Sequence, residues 1–292
     1  MPKDSSDKMP NILQIAWKEI KRDKFALVCL IVFCSILLTA FIGAMLLDGG
    51  YADRISVMTI DQSPAQFGRL GTDNGGRDMI SMLFLGARTS FIISFSVTIF
   101  SLLIGYTIGL ISGFYGGFVD LIIMRIIDFV VMIPTIMLII VAVSLIPGYS
   151  TFHFIVILIA FGWIGGAISL RPRVLQESAK DYVLASKTLG TPNAIIVLKK
   201  VLPNVLSYMM VGIVLGLAGN IGLETGLTVL GYGLPIGVPS LGAIIRLAMN
   251  PVVLQNRLWQ WVPAVILIFT MTLSIYGVGY AISRAVNPKQ RR

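Results

Sequence analysis

Few residues in this chain have the type and setting to do chemistry, and most of those stand alone. Glu224 interrupts an otherwise uncharged apolar run. A carboxyl group in lipid is costly and turns toward protein or a polar cavity. It therefore reads either as a hydrogen-bond acceptor holding the outer gate of a passage or as a group lining that passage. A proton or ion relay would need partner acids or histidines, and none is evident in the other runs. Arg125 and Asp128 are three apart, which brings opposite charges to one helix face, and read as a structural ion pair. The one histidine, His153, reads as an interfacial turn residue. Cys29 and Cys34 lie in one apolar run and read as buried inert thiols. This inventory offers neither a metal site nor a disulfide scaffold. The phosphate-cradling pattern G-x-x-x-x-G-K-[ST] is absent, as are G-x-S-x-G and H-E-x-x-H. The chain reads as non-catalytic.

The elements that must position these residues are set by solvent. Of 292 residues, 56% are hydrophobic and 13% charged, and the mean hydropathy is +0.86. Soluble proteins carry about 25% charged residues. That excludes a water-soluble enzyme, a disordered chain, a collagen and a coiled coil. The apolar runs are continuous rather than alternating, so a β-barrel is excluded too. An all-α integral membrane protein with six spans is expected, at about 25–47, 89–113, 121–146, 154–170, 205–230 and 259–283. Residues 25–47 carry no charge and as a helix reach roughly 35 Å, enough for a hydrocarbon core of about 30 Å. The expected organisation is a segment 1–24, a first span 25–47, a loop 48–88, a core of five spans over 89–283 with a patterned loop 171–204, and a basic tail 284–292.

The net charge of +9 reads as topology rather than as a nucleic-acid footprint. Six crossings put both termini on one side, and 17 of the 23 Lys and Arg fall on that side. The positive-inside rule makes it cytoplasmic. Loop 48–88 is then extracytoplasmic. Trp259 and Trp261 open the last span at the outer interface, where indoles are favoured.

Gly105, Gly109, Gly113 and Gly117 recur every four residues, and Gly212, Gly216 and Asn220 repeat that spacing. Small residues at this period let helix backbones approach closely, either within one bundle or in a groove for a second membrane subunit. Within 171–204, Ser178 and Asp181 resemble a capping box. Tyr182, Val183, Ser186 and Leu189 fall on one narrow face. Gly190 suits a helix C-terminus at positive φ. Thr191-Pro192 reads as an N-cap with proline at the first helical position, and Pro203 as a break or kink before the fifth span. Two short helices joined by a sharp turn are expected. They lie at the membrane surface or dock into a protein groove.

Asp181-Tyr182-Val183-Leu184-Ala185-Ser186-Lys187-Thr188-Leu189-Gly190, followed by Val201-Leu202-Pro203-Asn204, resembles the EAA loop of ABC importer permeases. More narrowly, the chain is similar to the second permease subunit of oligopeptide/dipeptide (and nickel) importers. Gly71-Thr72-Asp73 with Gly76-Arg77-Asp78 resembles that subfamily's motif before its second span. Residues 113–117 with Asp120, and Leu227 through Gly233, resemble further elements. Leu184 stands where the family has Glu, Ser186 where it has Ala, and the end 279–288 departs from its pattern. The resemblance implies a type I importer permease in the cell membrane, surrounded by lipid. Its implied partners are a homologous permease, two cytoplasmic ATPase subunits that hold ATP and magnesium, and an extracytoplasmic substrate-binding protein. It implies that Asp181, Tyr182, Val183, Ala185, Ser186, Leu189, Gly190 and Pro192 couple to the ATPase. Peptide is the expected cargo. A nickel or metal-chelate importer and an ion-coupled secondary transporter are the alternatives, the latter requiring paired intramembrane acids and inverted repeats.

Overall fold

Asp23 separates two helices of opposite character. Helix α1 (Ile12–Arg22) is amphipathic, whereas α2 (Lys24–Leu46) is apolar all round. The Asp23 carboxylate caps α2, accepting from the Phe25 and Ala26 amides at 2.9 and 3.3 Å. It also pairs with Arg284 near the other end of the chain. The computed structural model describes residues 12–47 and 56–286. Residues 1–11 of the N-terminal segment, 48–55 of the first loop and 287–292 of the basic tail lie outside the described residues.

The described residues are helical apart from turns and one isolated Thr72–Asp78 bridge. After a short helix α3 (Pro64–Phe67), α4 runs over Met79–Tyr115, α5 over Gly117–Val131, α6 over Thr135–Leu145 and α7 over Thr151–Ser178. Helices α8 (Asp181–Thr188) and α9 (Asn193–Ile196) form the loop before α10 (Leu202–Val229). Short helices α11 (Leu241–Arg246) and α12 (Pro251–Asn256) precede α13 (Val262–Val286). Five helical stretches are long and apolar enough to cross a membrane, and α5 with α6 supplies a sixth crossing if that bent pair counts as one span.

Several boundaries differ from expectation. Helix α4 starts at Met79, ten residues before the predicted span, because Asp78 accepts from the Ile80 and Ser81 amides and starts the helix there. The expected third span is not one helix: α5 and α6 meet at 75°. Pro134 explains the break, since it donates no backbone N–H and disfavours helical geometry in the residue before it. Helix α7 runs past Leu170 to Ser178, with Pro172 inside it.

Helix α4 is the spine, packed against α2, α7 and α10. Its glycines set the closest approach. A Cβ on Gly109 would lie 2.9 Å from the Ala167 carbonyl oxygen, and one on Gly113 would lie 2.7 Å from the Val174 Cβ. One on Gly105 would strike the Trp163 carbonyl. The stripe therefore serves packing against α7 of the same chain. Gly117 does not belong to it: nothing lies within 4 Å, and at φ +53° it starts α5 beyond the turn. Gly212 and Gly216 pack on Tyr106 and Thr98 of α4, and Asn220 donates to the Thr98 hydroxyl at 2.8 Å.

Candidate functional site

One end of the bundle carries the patterned loop. Helix α7 ends at Ser178, so that residue does not cap α8; the N-cap is Lys180, without a side-chain cap bond. Val183 is buried against Val174, Ile196, Val201 and their neighbours, and Ser186 is buried too. Leu189, in contrast, is 84% exposed. The narrow face drawn from spacing is thus divided, because α8 stops at Thr188 and the chain turns before Leu189 can follow the helical period. Asp181, Tyr182, Leu184 and Ala185 are exposed with it.

The turn is built by Gly190 at φ +75°. Its amide donates to the Lys187 carbonyl at 3.0 Å, and the Thr191 amide to the Ser186 carbonyl at 3.1 Å. This is the Schellman arrangement, which needs a left-handed residue at the first position beyond the helix cap. Pro192 occupies the N-cap of α9, one position earlier than expected. Pro203 produces no break, and residues 193–229 form one helical stretch. The stretch instead widens over Val197–Val201, where the Leu202 amide bonds the Val197 carbonyl five residues back. A proline ring crowds the carbonyl four residues before it, and the wide turn relieves that.

Side chains fasten α8 to both flanking helices. The Tyr182 hydroxyl donates to the Glu177 carboxylate and accepts from the Asn204 amide at 2.9 Å. Burial, then Glu177, pushes the Tyr182 phenol up to about 12. Lys200 Nζ donates to the Ser186 hydroxyl at 2.6 Å, and Lys180 pairs with Glu177 at 2.7 Å. A further pair was not legible from spacing: Arg171 grips Asp120 through Nε and a terminal nitrogen at 2.5 and 2.6 Å, and Ser112 also donates to Asp120. It joins α4, α5 and α7. The expected Arg125–Asp128 pair is 3.9 Å apart with both side chains well exposed, and contributes little.

At the opposite end, Glu224 is fully buried. Ser90 of α4 donates to it at 2.9 Å, Thr228 at 3.1 Å and Thr225 at 3.4 Å. The Ser90 hydroxyl in turn accepts from the Leu241 amide at 3.1 Å, where α11 begins. One carboxyl group therefore ties α4, α10 and α11 together.

The 71–78 motif is a compact knot beside it. Gly71 and Gly76 sit at φ +72° and +74°. Asp73 accepts from the Gly75 and Arg77 amides at 2.9 Å each and from Arg77 Nε at 2.7 Å. The Thr72 carbonyl accepts from Gln260 Nε2 at 2.9 Å and from Trp259 Nε1 at 3.3 Å, pinning the knot to the start of α13. Gln260 and the Asp61–Arg257 pair (2.5 Å) complete the clamp and carry no spacing signal of their own. His153 contacts the Ser150 hydroxyl at 2.7 Å through Nδ1. Cys29 is buried as expected, but Cys34 is exposed.

Residues 105–292 match the family model "Binding-protein-dependent transport system inner membrane component". Residues 11–64 match "N-terminal TM domain of oligopeptide transport permease C". The chain is 42% identical over 275 residues to the oligopeptide transport system permease protein OppC of Lactococcus lactis subsp. cremoris (strain SK11), covering 94% of this chain and 93% of that one. It is 32% identical over 284 residues to the dipeptide transport system permease protein DppC of Bacillus subtilis (strain 168), covering 96% and 86%. With a family match spanning most of its length and helices arranged as a type I permease requires, the chain belongs to the inner-membrane components of binding-protein-dependent transport systems.

Proposed function

We propose that this chain is a permease subunit of an ATP-driven importer of oligopeptides or dipeptides, forming half of a passage shared with a homologous permease. Similarity to oligopeptide and dipeptide permeases supports the cargo, and the family supports transport over catalysis. Two cytoplasmic ATPase subunits hold ATP and magnesium, and an extracytoplasmic binding protein delivers the peptide. Both termini and α8 face the cytoplasm. The knot at 71–78 and Glu224 lie toward the outside.

The observation that carries this reading is mechanical. Helix α8 exposes Asp181, Leu184 and Ala185, with Leu189 exposed just beyond its end, while Tyr182 and Ser186 bond it to α7 and to the segment 200–204 that opens α10. Residues 193–229 form a single helical stretch on the order of 55 Å long, with Glu224 near its far end. A push on α8 by a closing ATPase pair is delivered along that rod to the Glu224 junction, and the passage alternates its open side. Recovery of ATPase subunits with tagged permease tests this. Ala185→Arg changes only the exposed face of α8. The variant is expected to insert normally and lose the ATPase subunits; full recovery with full uptake would remove α8 as the coupling element.

A further inference from the structure

A cavity of about 510 Å³ opens beside the Glu224 junction, between the 71–78 knot and the segment 234–257. Its size falls within the range of about 300–1,000 Å³ usual for small-ligand sites. Leu234, Pro235, Ile236 and Val253 give it apolar wall, and Thr228, which donates to Glu224, also lines it.

Its charges are unequal. Asp61, Asp73, Arg77, Arg246 and Arg257 line it. Asp73 is spent on Arg77 at 2.7 Å and on two backbone amides. Asp61 is spent on Arg257 at 2.5 Å and on Gln260 at 2.9 Å. Arg246 is different: no carboxylate lies within ion-pair distance of it among the described residues. It is exposed and ends α11, with its guanidinium beside the Gly231 turn. The cavity thus offers one spare cation and no spare anion.

We propose that Arg246 is a specificity-determining residue that receives the C-terminal carboxylate of the peptide as it enters the passage; this rests on the peptide-permease reading above. Guanidinium groups bind carboxylates through two parallel N–H bonds. A carrier that accepts many side chains must hold what peptides share, and the termini are shared. Both aspartates are already paired, so the amino terminus finds no partner here while the carboxylate does. The apolar walls accept the adjoining side chain. The site also adjoins the gate: Arg246 ends the short helix whose first amide is bonded through Ser90 to Glu224.

The test uses the complete transporter with its binding protein in membranes. Uptake of a peptide with a free C-terminus is compared with uptake of the same peptide amidated, and the acid-to-amide ratio is read in wild type, Arg246→Gln and Arg246→Lys. Peptide-stimulated ATP hydrolysis supplies the same ratio independently. Because the binding protein is common to all arms, its own preference cancels. Arg246→Gln is expected to lower uptake of the acid about tenfold with little change for the amide, and Arg246→Lys to keep an intermediate ratio. An unchanged ratio overturns the proposal, whether uptake is unaffected or both peptides fall together as they would if Arg246 served docking of the binding protein. Failure of wild type to import either peptide would instead overturn the peptide-permease reading.

Discussion

Replacing Glu224 separates hydrogen bonding from charge at the junction of α4, α10 and α11. In Glu224→Leu the Ser90 and Thr228 hydroxyls lose an acceptor at 2.9 and 3.1 Å, in a place fully removed from solvent. Each unsatisfied buried group costs about 1–3 kcal/mol, so the junction loses roughly 2–6 kcal/mol. If these bonds hold one state of the gate alone, such a loss shifts it by a factor of about 30 or more. Glu224→Gln keeps one carbonyl oxygen in place. Ser90 and Thr228 cannot both be served as before, so about half of the loss is expected. The assay is peptide uptake and ATP hydrolysis by the assembled transporter, beside the thermal stability of the solubilised complex. Gln is expected to retain much of the uptake, and Leu to lose most of it while hydrolysis without transport rises. If Gln is as damaging as Leu in a stably assembled complex, charge itself is required and the hydrogen-bonded gate is wrong.

Other substitutions probe the remaining parts. Gly190→Val places a β-branched residue at φ +75°, a strain on the order of 1–2 kcal/mol or more; membrane levels should stay normal while ATPase recovery and uptake fall. Gly109→Val drives a side chain onto the Ala167 carbonyl, and the purified subunit should lose about 1–3 kcal/mol of stability, measured as a lower melting temperature. Asp120→Asn leaves Arg171 without its carboxylate and should destabilise the same subunit more than Asp128→Asn, whose partner is solvated. In a background lacking Cys29 and Cys34, Leu189→Cys and Ala65→Cys, both at exposed positions, should be labelled from opposite sides of intact cells; labelling of both from outside by an impermeant reagent would refute the proposed topology.

Apolar runs were legible because lipid demands them: α2 matches the expected first span to within a residue at each end. Continuous apolarity records the surrounding solvent but not the direction of the chain, which is why the 75° bend at Pro134 went unread. The glycine spacing identified a close helix contact, yet only the tertiary structure identifies α7 as the partner and sets Gly117 apart. Gly190 was readable because a positive φ at a helix end is a local demand. The Asp120–Arg171 grip joins residues 51 positions apart across two turns, and no local pattern encodes that. In the sequence Arg246 is one loop charge among others. Its distinction comes from the pairing of its neighbours, which is a property of the assembled cavity.

The wide turn at Val197–Val201 sets an angular phase. Each residue of an α-helix advances about 100° around the axis, and a π turn amounts to one residue inserted into that count. The direction in which Ala185 presents α8 and the direction in which Glu224 enters the bundle are therefore related through a single inserted residue. Removing one residue would let that turn close to an ordinary α-turn with both ends still in phase, whereas tightening it to an α-turn with the count unchanged would rotate one end by about 100° against the other. The loop and the junction it addresses are a matched pair, and a segment transplanted from a relative keeps their phase only if its residue count suits its turn, one more for a wide turn than for an α-turn.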